Sequence, residues 1–392
     1  MKLRLLTGIV LLSSGMALAK CDVPALRSQD KTNPGLPQQD VIKNASDNTH
    51  IKVALLLDTS NSMDGLIEQA KSRLWNIINT ITTLKYQGKE PVIEIALYEY
   101  GNDGLSQQSN YIRQVAPLTT DLDLISEKLF ALRTNGGNEY CGAVISEAVK
   151  KLNWSNEKAD MKLIYIAGNE GFDQGGISYK ESVSEALQHS IYVNTIFCGN
   201  KMEGINTFWK DGADRGGGKY FNIDANKQVT FIETPYDAQI EACDIRINKT
   251  YINYGAQGLA KKRNQAVQDN NARSINKANY TERAVSKSKA AYENSNWDIV
   301  DRVKKDKDAL NKIKNEDLPD ELKGKSKAEI ATYIDGKTKE REAIQKEITT
   351  LSVKRQQYID EQNKKNPGKD DLGEAINRSI SELALKNGYT IK

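Results

Sequence analysis

The chain has few of the residues on which most hydrolytic and zinc-dependent centres are built. Its 392 residues include only two histidines, His50 and His189, and neither lies in a recognisable motif. A histidine-based catalytic triad or a histidine-rich zinc centre is therefore not expected. The sequence also lacks a Gly-x-x-x-x-Gly-Lys-Ser/Thr segment, so we do not expect a phosphate-binding loop for nucleotide hydrolysis. These absences favour a non-enzymatic binding or structural protein.

The sequence also lacks an apolar run long enough to span a bilayer, and it lacks a strong excess of either charge. Lys and Arg number 55 against 52 Asp and Glu, which gives a formal net charge of +3. So small an imbalance provides no general attraction to nucleic acid or to an anionic membrane surface. We therefore expect neither a transmembrane segment nor a nucleic-acid partner.

The N-terminus has the pattern of a secretory signal peptide. Residues 1–19 combine two early basic residues with a short apolar run and an Ala-x-Ala end. Such a segment predicts cleavage after Ala19 and export to the periplasm or the extracellular space. Residues 20–50 contain prolines and many amide and acidic side chains, and we predict an irregular lead there.

An apolar segment directly followed by a polar turn is the most informative part of the chain. Residues 53–57 read VALLL, which predicts a strand buried on both faces. Asp58, Ser60 and Ser62 follow at once, and apolar residues spaced three or four apart then predict an amphipathic helix. In an open α/β sheet, ligands bind outside the carboxyl ends of the strands, where these three side chains are predicted to lie.

The strand, the Asp58-x-Ser60-x-Ser62 turn and the helix together resemble the von Willebrand factor type A domain. The resemblance implies a divalent cation, Mg²⁺ or Mn²⁺, which this loop holds together with a Thr from a second loop and an Asp from a third. It also implies a protein partner that offers a carboxylate to the remaining coordination position. Carboxylate and hydroxyl oxygens are ligands that suit such a hard cation.

Two later loops correspond to the other metal loops of the family, and both depart from its pattern. Asn138 and Glu139 follow a Gly-Gly pair at the place where the family has its Thr. Asn169 and Glu170 follow a later apolar strand, where the family has Thr-Asp-Gly. The resemblance therefore implies these four residues as candidates for the remaining metal ligands.

The pattern over residues 51–245 predicts a doubly wound α/β domain. Apolar, β-prone segments alternate with helical ones, which implies a mainly parallel sheet covered by helices on both faces. The strands after the first are predicted over 92–100, 111–115, 162–167, 191–197 and 219–224, and a closing helix over about 229–243.

Residues 246–392 predict a helical, coiled-coil-like domain without strands. Ser326 and Glu329 form a capping-box pattern before a run whose apolar residues follow an a/d heptad track. Lys337, Arg341 and Arg355 interrupt that track, which argues against a strong dimeric zipper. We predict two or three long antiparallel helices that are separable from the first domain and resemble the helical region of a secreted bacterial subgroup of the family.

Four cysteines remain after cleavage of the signal peptide, and an oxidising compartment would allow them to pair. Cys141 and Cys198 are both placed at the carboxyl edge of the sheet, which favours a disulfide between them. Cys21 and Cys243 are then placed at the opposite edge and predicted to pair. The alternative is that Cys141 and Cys198 are buried free thiols. Lys20 disfavours lipid attachment at Cys21, because lipidation signals require a small residue immediately before the cysteine.

Two functions follow from these patterns. The first is cation-assisted recognition of a protein partner through Asp58, Ser60 and Ser62. The second is a structural envelope or scaffold protein whose type A domain has lost its metal and whose helices contact the partner. The complete Asp-x-Ser-x-Ser turn favours the first function, whereas the departures in the other two loops favour the second.

Overall fold

The computed structural model describes residues 49–224, 231–365 and 372–391, which belong to one compact unit. The predicted signal peptide over 1–19 and almost all of the predicted lead over 20–50 lie outside the described residues. Among the residues that are described, no helix is both long enough and apolar enough to cross a membrane.

A six-stranded sheet forms the centre of the molecule. Its members and those of a small two-stranded sheet are β1 (His50–Asp58), β2 (Leu84–Tyr86), β3 (Val92–Tyr100), β4 (Ile112–Thr119), β5 (Met161–Gly168), β6 (Ile191–Cys198), β7 (Gly217–Ile223) and β8 (Tyr389–Ile391). The large sheet has the order β4-β3-β1-β5-β6-β7, and only the edge strand β4 is antiparallel to its neighbour. The predicted fold class, a mainly parallel doubly wound sheet, is confirmed.

Helices cover both faces of this sheet and extend over the rest of the described chain. They are α1 (Asp64–Ile81), α2 (Leu122–Ala131), α3 (Cys141–Lys151), α4 (Tyr179–Gln188), α5 (Lys201–Asn206), α6 (Trp209–Arg215), α7 (Asp237–Asn248), α8 (Gly258–Ile275), α9 (Lys277–Lys287), α10 (Ile299–Lys305), α11 (Ala309–Lys312), α12 (Lys327–Lys365) and α13 (Leu372–Lys386). Local signals set several ends: Asp121 caps α2 by accepting from the Leu124 N–H at 3.0 Å. The predicted capping box starts α12, with the Ser326 N–H donating to Glu329 at 2.8 Å.

Two apolar cores lie on opposite faces of the sheet. Helices α3, α4 and α6 pack on one face, whereas α1 and α2 pack on the other. The core of the α1 face also contains apolar residues of α7, α8, α9, α12 and α13. The helical region is therefore joined to the sheet domain by a continuous apolar core.

That shared core differs from the predicted division into two units. The predicted boundary between residues 245 and 246 lies inside α7 and not in a linker. Helix α7 begins at Asp237, later than the predicted start near Val229, which lies outside the described residues. Thr234 explains the start, because its backbone N–H and hydroxyl both donate to the Asp237 carboxylate, at 2.9 and 2.7 Å.

One expectation about the C-terminal region also needs correction. The region was predicted to lack strands, yet β8 pairs antiparallel with β2, which lies about 300 residues earlier in the chain. Three residues are too few to show a strand pattern in the sequence. This segment is a strand only because it pairs with β2.

Two of the cations on the heptad track of α12 are buried in ion pairs. Arg341 pairs with the α10 cap Asp298 and with Asp301 of α10, and Arg355 pairs with Asp237 of α7 and Glu282 of α9.

The predicted Cys141–Cys198 disulfide is absent, and the alternative of buried free thiols is what the structure has. Cys141, Cys198 and Cys243 are free and buried. Cys141 belongs to the core on the α3 face, whereas Cys198 belongs to the core on the α1 face. The sheet itself separates the two thiols, although both lie towards its carboxyl edge. Cys21, the predicted partner of Cys243, lies outside the described residues.

Candidate functional site at the carboxyl edge of the sheet

The candidate site lies where three neighbouring strands end. Asp58 ends β1, Tyr100 ends β3 and Gly168 ends β5, and the registers place these strands side by side. The loops that follow are tied together by backbone contacts. The Thr59 N–H donates to the Tyr100 carbonyl at 2.9 Å, and the Asn135 N–H donates to the Thr59 carbonyl at 2.9 Å. The chain therefore brings all three predicted loops to one place.

The first loop presents a buried carboxylate and two hydroxyls. Asp58 is fully buried; its Oδ1 accepts a 2.7 Å hydrogen bond from the Ser60 N–H, and its Oδ2 has no hydrogen-bond partner. Ser60 holds the N-cap position of a 3-10 turn over Asn61–Met63, but its hydroxyl makes no capping bond. That hydroxyl lies 3.2 Å from the Oγ of Ser62, which is exposed. Both hydroxyls therefore lie in the same short turn as the Asp58 carboxylate.

The second loop contributes Glu139. This side chain is buried, with only 6% of it exposed. A Cβ built on Gly101 would lie 2.7 Å from Glu139 Cγ and 2.9 Å from Asp58 Oδ1, so both acidic side chains pack against the same glycine. Asn138, the other candidate in this loop, is exposed.

The third loop contributes Asn169. Its side-chain amide donates to Ser62 Oγ at 3.1 Å, which links the third loop to the first. Glu170 is exposed and accepts from Gln174 at 3.3 Å, so its carboxylate is not part of the buried cluster. The structure therefore gathers Asp58, Ser60, Ser62, Glu139 and Asn169, and leaves Asn138 and Glu170 at the periphery.

Burial strongly favours the neutral forms of both acids. Burial, opposed in part by hydrogen bonds from Ser60, raises the pKa of Asp58 to about 7. Burial and then the charge of Asp58 raise the pKa of Glu139 to about 8. No ion pair among the described residues involves either carboxylate. An acid in such surroundings is stabilised by a proton or by a cation.

The chemistry of these donors fits a hard divalent cation. All of them are oxygens of carboxylate, hydroxyl or amide groups, which Mg²⁺ and Mn²⁺ prefer. The unpartnered Asp58 Oδ2 is a buried acceptor that such a cation would satisfy. The described residues contain no group of three or more His, Cys, Asp or Glu arranged to hold a metal. A cation bound here would therefore use Ser60, Ser62, Asn169 and water besides the two carboxylates.

Sequence reasoning missed the residues that shape this site. A Cβ on Gly168 would lie 2.5 Å from the Tyr100 hydroxyl and 3.1 Å from both Asp58 Oδ2 and a ring carbon of Trp209. Gly137 approaches equally closely, since its Cβ would lie 2.2 Å from the carbonyl oxygen of Gly101. For Gly168 the available signal was a glycine at the end of a strand, because such a glycine marks a place where backbones approach closely.

Comparison with known proteins agrees with the fold described above. Residues 52–232 match the family model of the von Willebrand factor type A domain, so the chain contains a type A domain. Domains of this family in general bind other proteins. A comparison with curated proteins finds no match.

Several solved structures match part of this chain at low sequence identity. An aerotolerance-related membrane protein from Bacteroides fragilis NCTC 9343 is 17% identical, with 45% of this chain and 93% of that chain covered and a TM-score of 0.32. A von Willebrand factor type A protein from Catenulispora acidiphila is 15% identical, covering 45% and 39%, with a TM-score of 0.34. The pilus adhesin SpaC from Lactobacillus rhamnosus GG is 12% identical, covering 46% and 28%, with a TM-score of 0.34.

Proposed function

We propose that this chain is an exported, non-enzymatic protein that recognises a protein partner with the help of a divalent cation at the carboxyl edge of the sheet. Asp58 carries the proposal, because it is a fully buried carboxylate with one oxygen left without a hydrogen-bond partner. Ser60, Ser62, Glu139 and Asn169 surround it with further oxygens. The cation is Mg²⁺ or Mn²⁺ on the chemistry of these donors.

Exposed apolar side chains on the same edge support a protein as the partner. Ile177 follows β5 and is 40% exposed, while Met202 and Phe208 follow β6 and are 59% and 40% exposed. The Phe208 ring stacks on Tyr179 at a centroid distance of 6.1 Å, which holds it at the surface. Exposed apolar groups with polar surroundings are typical of protein-binding surfaces.

Calorimetric titration of the purified protein with Mg²⁺ and Mn²⁺ tests the cation. Asp58→Ala should abolish binding, and Ser60→Ala should weaken it less, because a hydroxyl contributes no charge. Asn169→Asp should tighten binding, since a further carboxylate increases the negative charge of an oxygen site. Asp214→Ala is the matched control, because this carboxylate is exposed and paired with Lys210 on α6.

The alternative function is a structural envelope protein that binds no cation and contacts its partner through the helices. The amide of Asn169, at the place where the family has an acidic ligand, favours this alternative. If the wild-type protein gives no heat on titration with Mg²⁺ or Mn²⁺, and Asn169→Asp does not gain cation binding, the structural function is favoured over cation-assisted recognition. Export is tested separately, by finding a mature N-terminus at Lys20 in the secreted or periplasmic fraction.

A further inference from the structure

The second buried carboxylate of the site comes from the chain itself, in a loop where the family resemblance implies a neutral Thr. We infer that Glu139 is a built-in carboxylate ligand of the proposed cation and takes the role that the resemblance assigns to an acidic side chain of the partner. The partner would then contact this edge without placing a carboxylate on the metal. This inference rests on the proposed function.

The backbone holds Glu139 at the cation position. Gly137 lies against the carbonyl of Gly101, which brings the second loop to the end of β3. The side chain of Glu139 then packs over Gly101, on the same glycine as Asp58 Oδ1. A side chain that is 6% exposed and held in this way has little freedom to turn into solvent.

An independent observation indicates that a cationic ligand belongs between these two acids. Asp58 is fully buried, yet its Oδ2 has no hydrogen-bond partner. Among the described residues, no lysine or arginine forms an ion pair with Asp58 or Glu139, although buried carboxylates are normally paired. A divalent cation would satisfy both at once.

The charge balance determines which partner the site accepts. Asp58 and Glu139 together neutralise a divalent cation, and Glu170 adds a further negative charge close enough to affect both. An acidic side chain from a partner would find its coordination position already filled by Glu139, and it would have to give up its own hydration to approach a cation whose charge is already neutralised. A neutral oxygen, such as a carbonyl, a hydroxyl or water, has the smaller desolvation penalty.

Mn²⁺ titration followed by electron paramagnetic resonance tests this role, with and without saturating acetate. Glu139→Ala should bind Mn²⁺ at least about tenfold more weakly than the wild type, since the site loses one of its two charged ligands. Acetate should restore much of that affinity in Glu139→Ala, because it supplies the missing carboxylate, and should not improve the wild type. Asp214→Ala is the control, and its affinity should change little because this carboxylate is exposed and paired with Lys210 on α6.

The isosteric variant Glu139→Gln keeps the shape of the loop and should also lose affinity. In EDTA, its Tm should be higher than that of the wild type by about 2 °C, because one of two neighbouring buried acids is gone. Unchanged Mn²⁺ affinity in both Glu139 variants would overturn the inference while leaving the cation site intact. Equal tightening of wild type and Glu139→Ala by acetate would also overturn it. A wild type that binds no Mn²⁺ would remove the proposed function and this inference with it.

Discussion

Single residues at the carboxyl edge combine an unfavourable electrostatic arrangement with very tight backbone packing. Asp58 and Glu139 are buried, and within the part of the chain that the structure describes neither has a cationic side chain as partner, which reduces the stability of the folded chain when both are charged. Glycines make the arrangement possible, because any side chain at Gly101 or Gly168 would occupy space that the two acids and Tyr100 already fill. Such local costs are common at functional sites.

Gly101 allows the sharpest test at this scale. Its φ is +77°, and an added Cβ would lie under 3 Å from both Asp58 and Glu139. We expect Gly101→Ala to lower the free energy of unfolding by about 1–3 kcal/mol and to weaken Mn²⁺ binding. Urea unfolding and metal titration measure the two effects. Gly176→Ala is the control, because nothing lies within 4 Å of its added Cβ, and a comparable loss there would contradict the role given to Gly101.

Only part of the site could be predicted from the sequence at this scale. Asp58, Ser60 and Ser62 lie in one short turn, so a local pattern was sufficient to group them. The choice of Glu139 over Asn138 depends on which way the second loop faces, and that is set by the contact of Gly137 with Gly101. No local pattern carries this information.

Among the helices and strands, those whose signals are local were predicted best. The run over Val92–Tyr100 is a strand with the predicted bounds, because nine residues of apolar, β-prone sequence leave little ambiguity. Strand β8 was missed because it depends on pairing with β2. The disulfide failed for a related reason: the edge of the sheet at which Cys141 and Cys198 lie was predicted, but the face on which each packs was not.

Helix α12 contains a position where a simple substitution should stabilise it. Gly336 lies in the interior of this 39-residue helix, is exposed, and has nothing within 4 Å of an added Cβ. We expect Gly336→Ala to raise the free energy of unfolding by about 0.5–1 kcal/mol, because alanine has the higher helix propensity. A loss of stability in urea unfolding would contradict the helical state of this segment.

The interruptions of the heptad track on α12 are not equivalent. Arg341 is buried and forms 2.7 Å ion pairs with Asp298 and Asp301, whereas Lys337 reaches the exposed Glu340 at 2.9 Å. We expect Arg341→Met to cost about 3–5 kcal/mol in unfolding free energy, because two buried acids lose their partner. Lys337→Met, the matched control, should change it by less than about 1 kcal/mol. Equal effects would mean that the buried pairs contribute nothing.

For the molecule as a whole, buried ion pairs and a continuous apolar core join the helical region to the sheet domain. Arg355 of α12 pairs with Asp237 at 2.9 Å and also with Glu282, which accepts a 2.8 Å hydrogen bond from Asn79 of α1. Helix α13 contributes to the core on the same face. The molecule therefore does not consist of two independent bodies connected by a linker.

This unity predicts how the chain unfolds. We expect the full-length protein to unfold in one transition, and circular dichroism and tryptophan fluorescence should both report that same transition. A fragment of residues 246–392 should contain helix but lack a sharp thermal transition, because its apolar residues pack against α1 and α2 in the full chain. A fragment that unfolds cooperatively near the Tm of the full chain would show that the helices are an independent domain after all.

The buried charges around α9 also predict how stability depends on pH. Arg283 contacts Asp123 at 2.8 Å and Asp269 at 2.5 Å, and Lys287 contacts Asp244 at 2.7 Å and Asp269 at 2.8 Å. Burial by itself raises the pKa of Asp269, but Lys287 and Arg283 outweigh it and hold that pKa below its ordinary value. The unfolded chain therefore binds more protons than the folded one as the pH falls.

It follows that Asp269 contributes stability that is fully present above the ordinary carboxyl pKa of about 4 and is lost as the pH falls through the lower pKa of the folded state. Asp269→Asn should cost about 3–5 kcal/mol at neutral pH, because two buried cations lose their shared partner. It should also make the unfolding free energy decline less steeply between about pH 4 and pH 2. Urea unfolding at several pH values measures both effects. Asp214→Asn, which removes an exposed pair, is the control, and its plot of unfolding free energy against pH should run parallel to that of the wild type. If the plot for Asp269→Asn were also parallel to that of the wild type, the role given to the buried cluster would be contradicted.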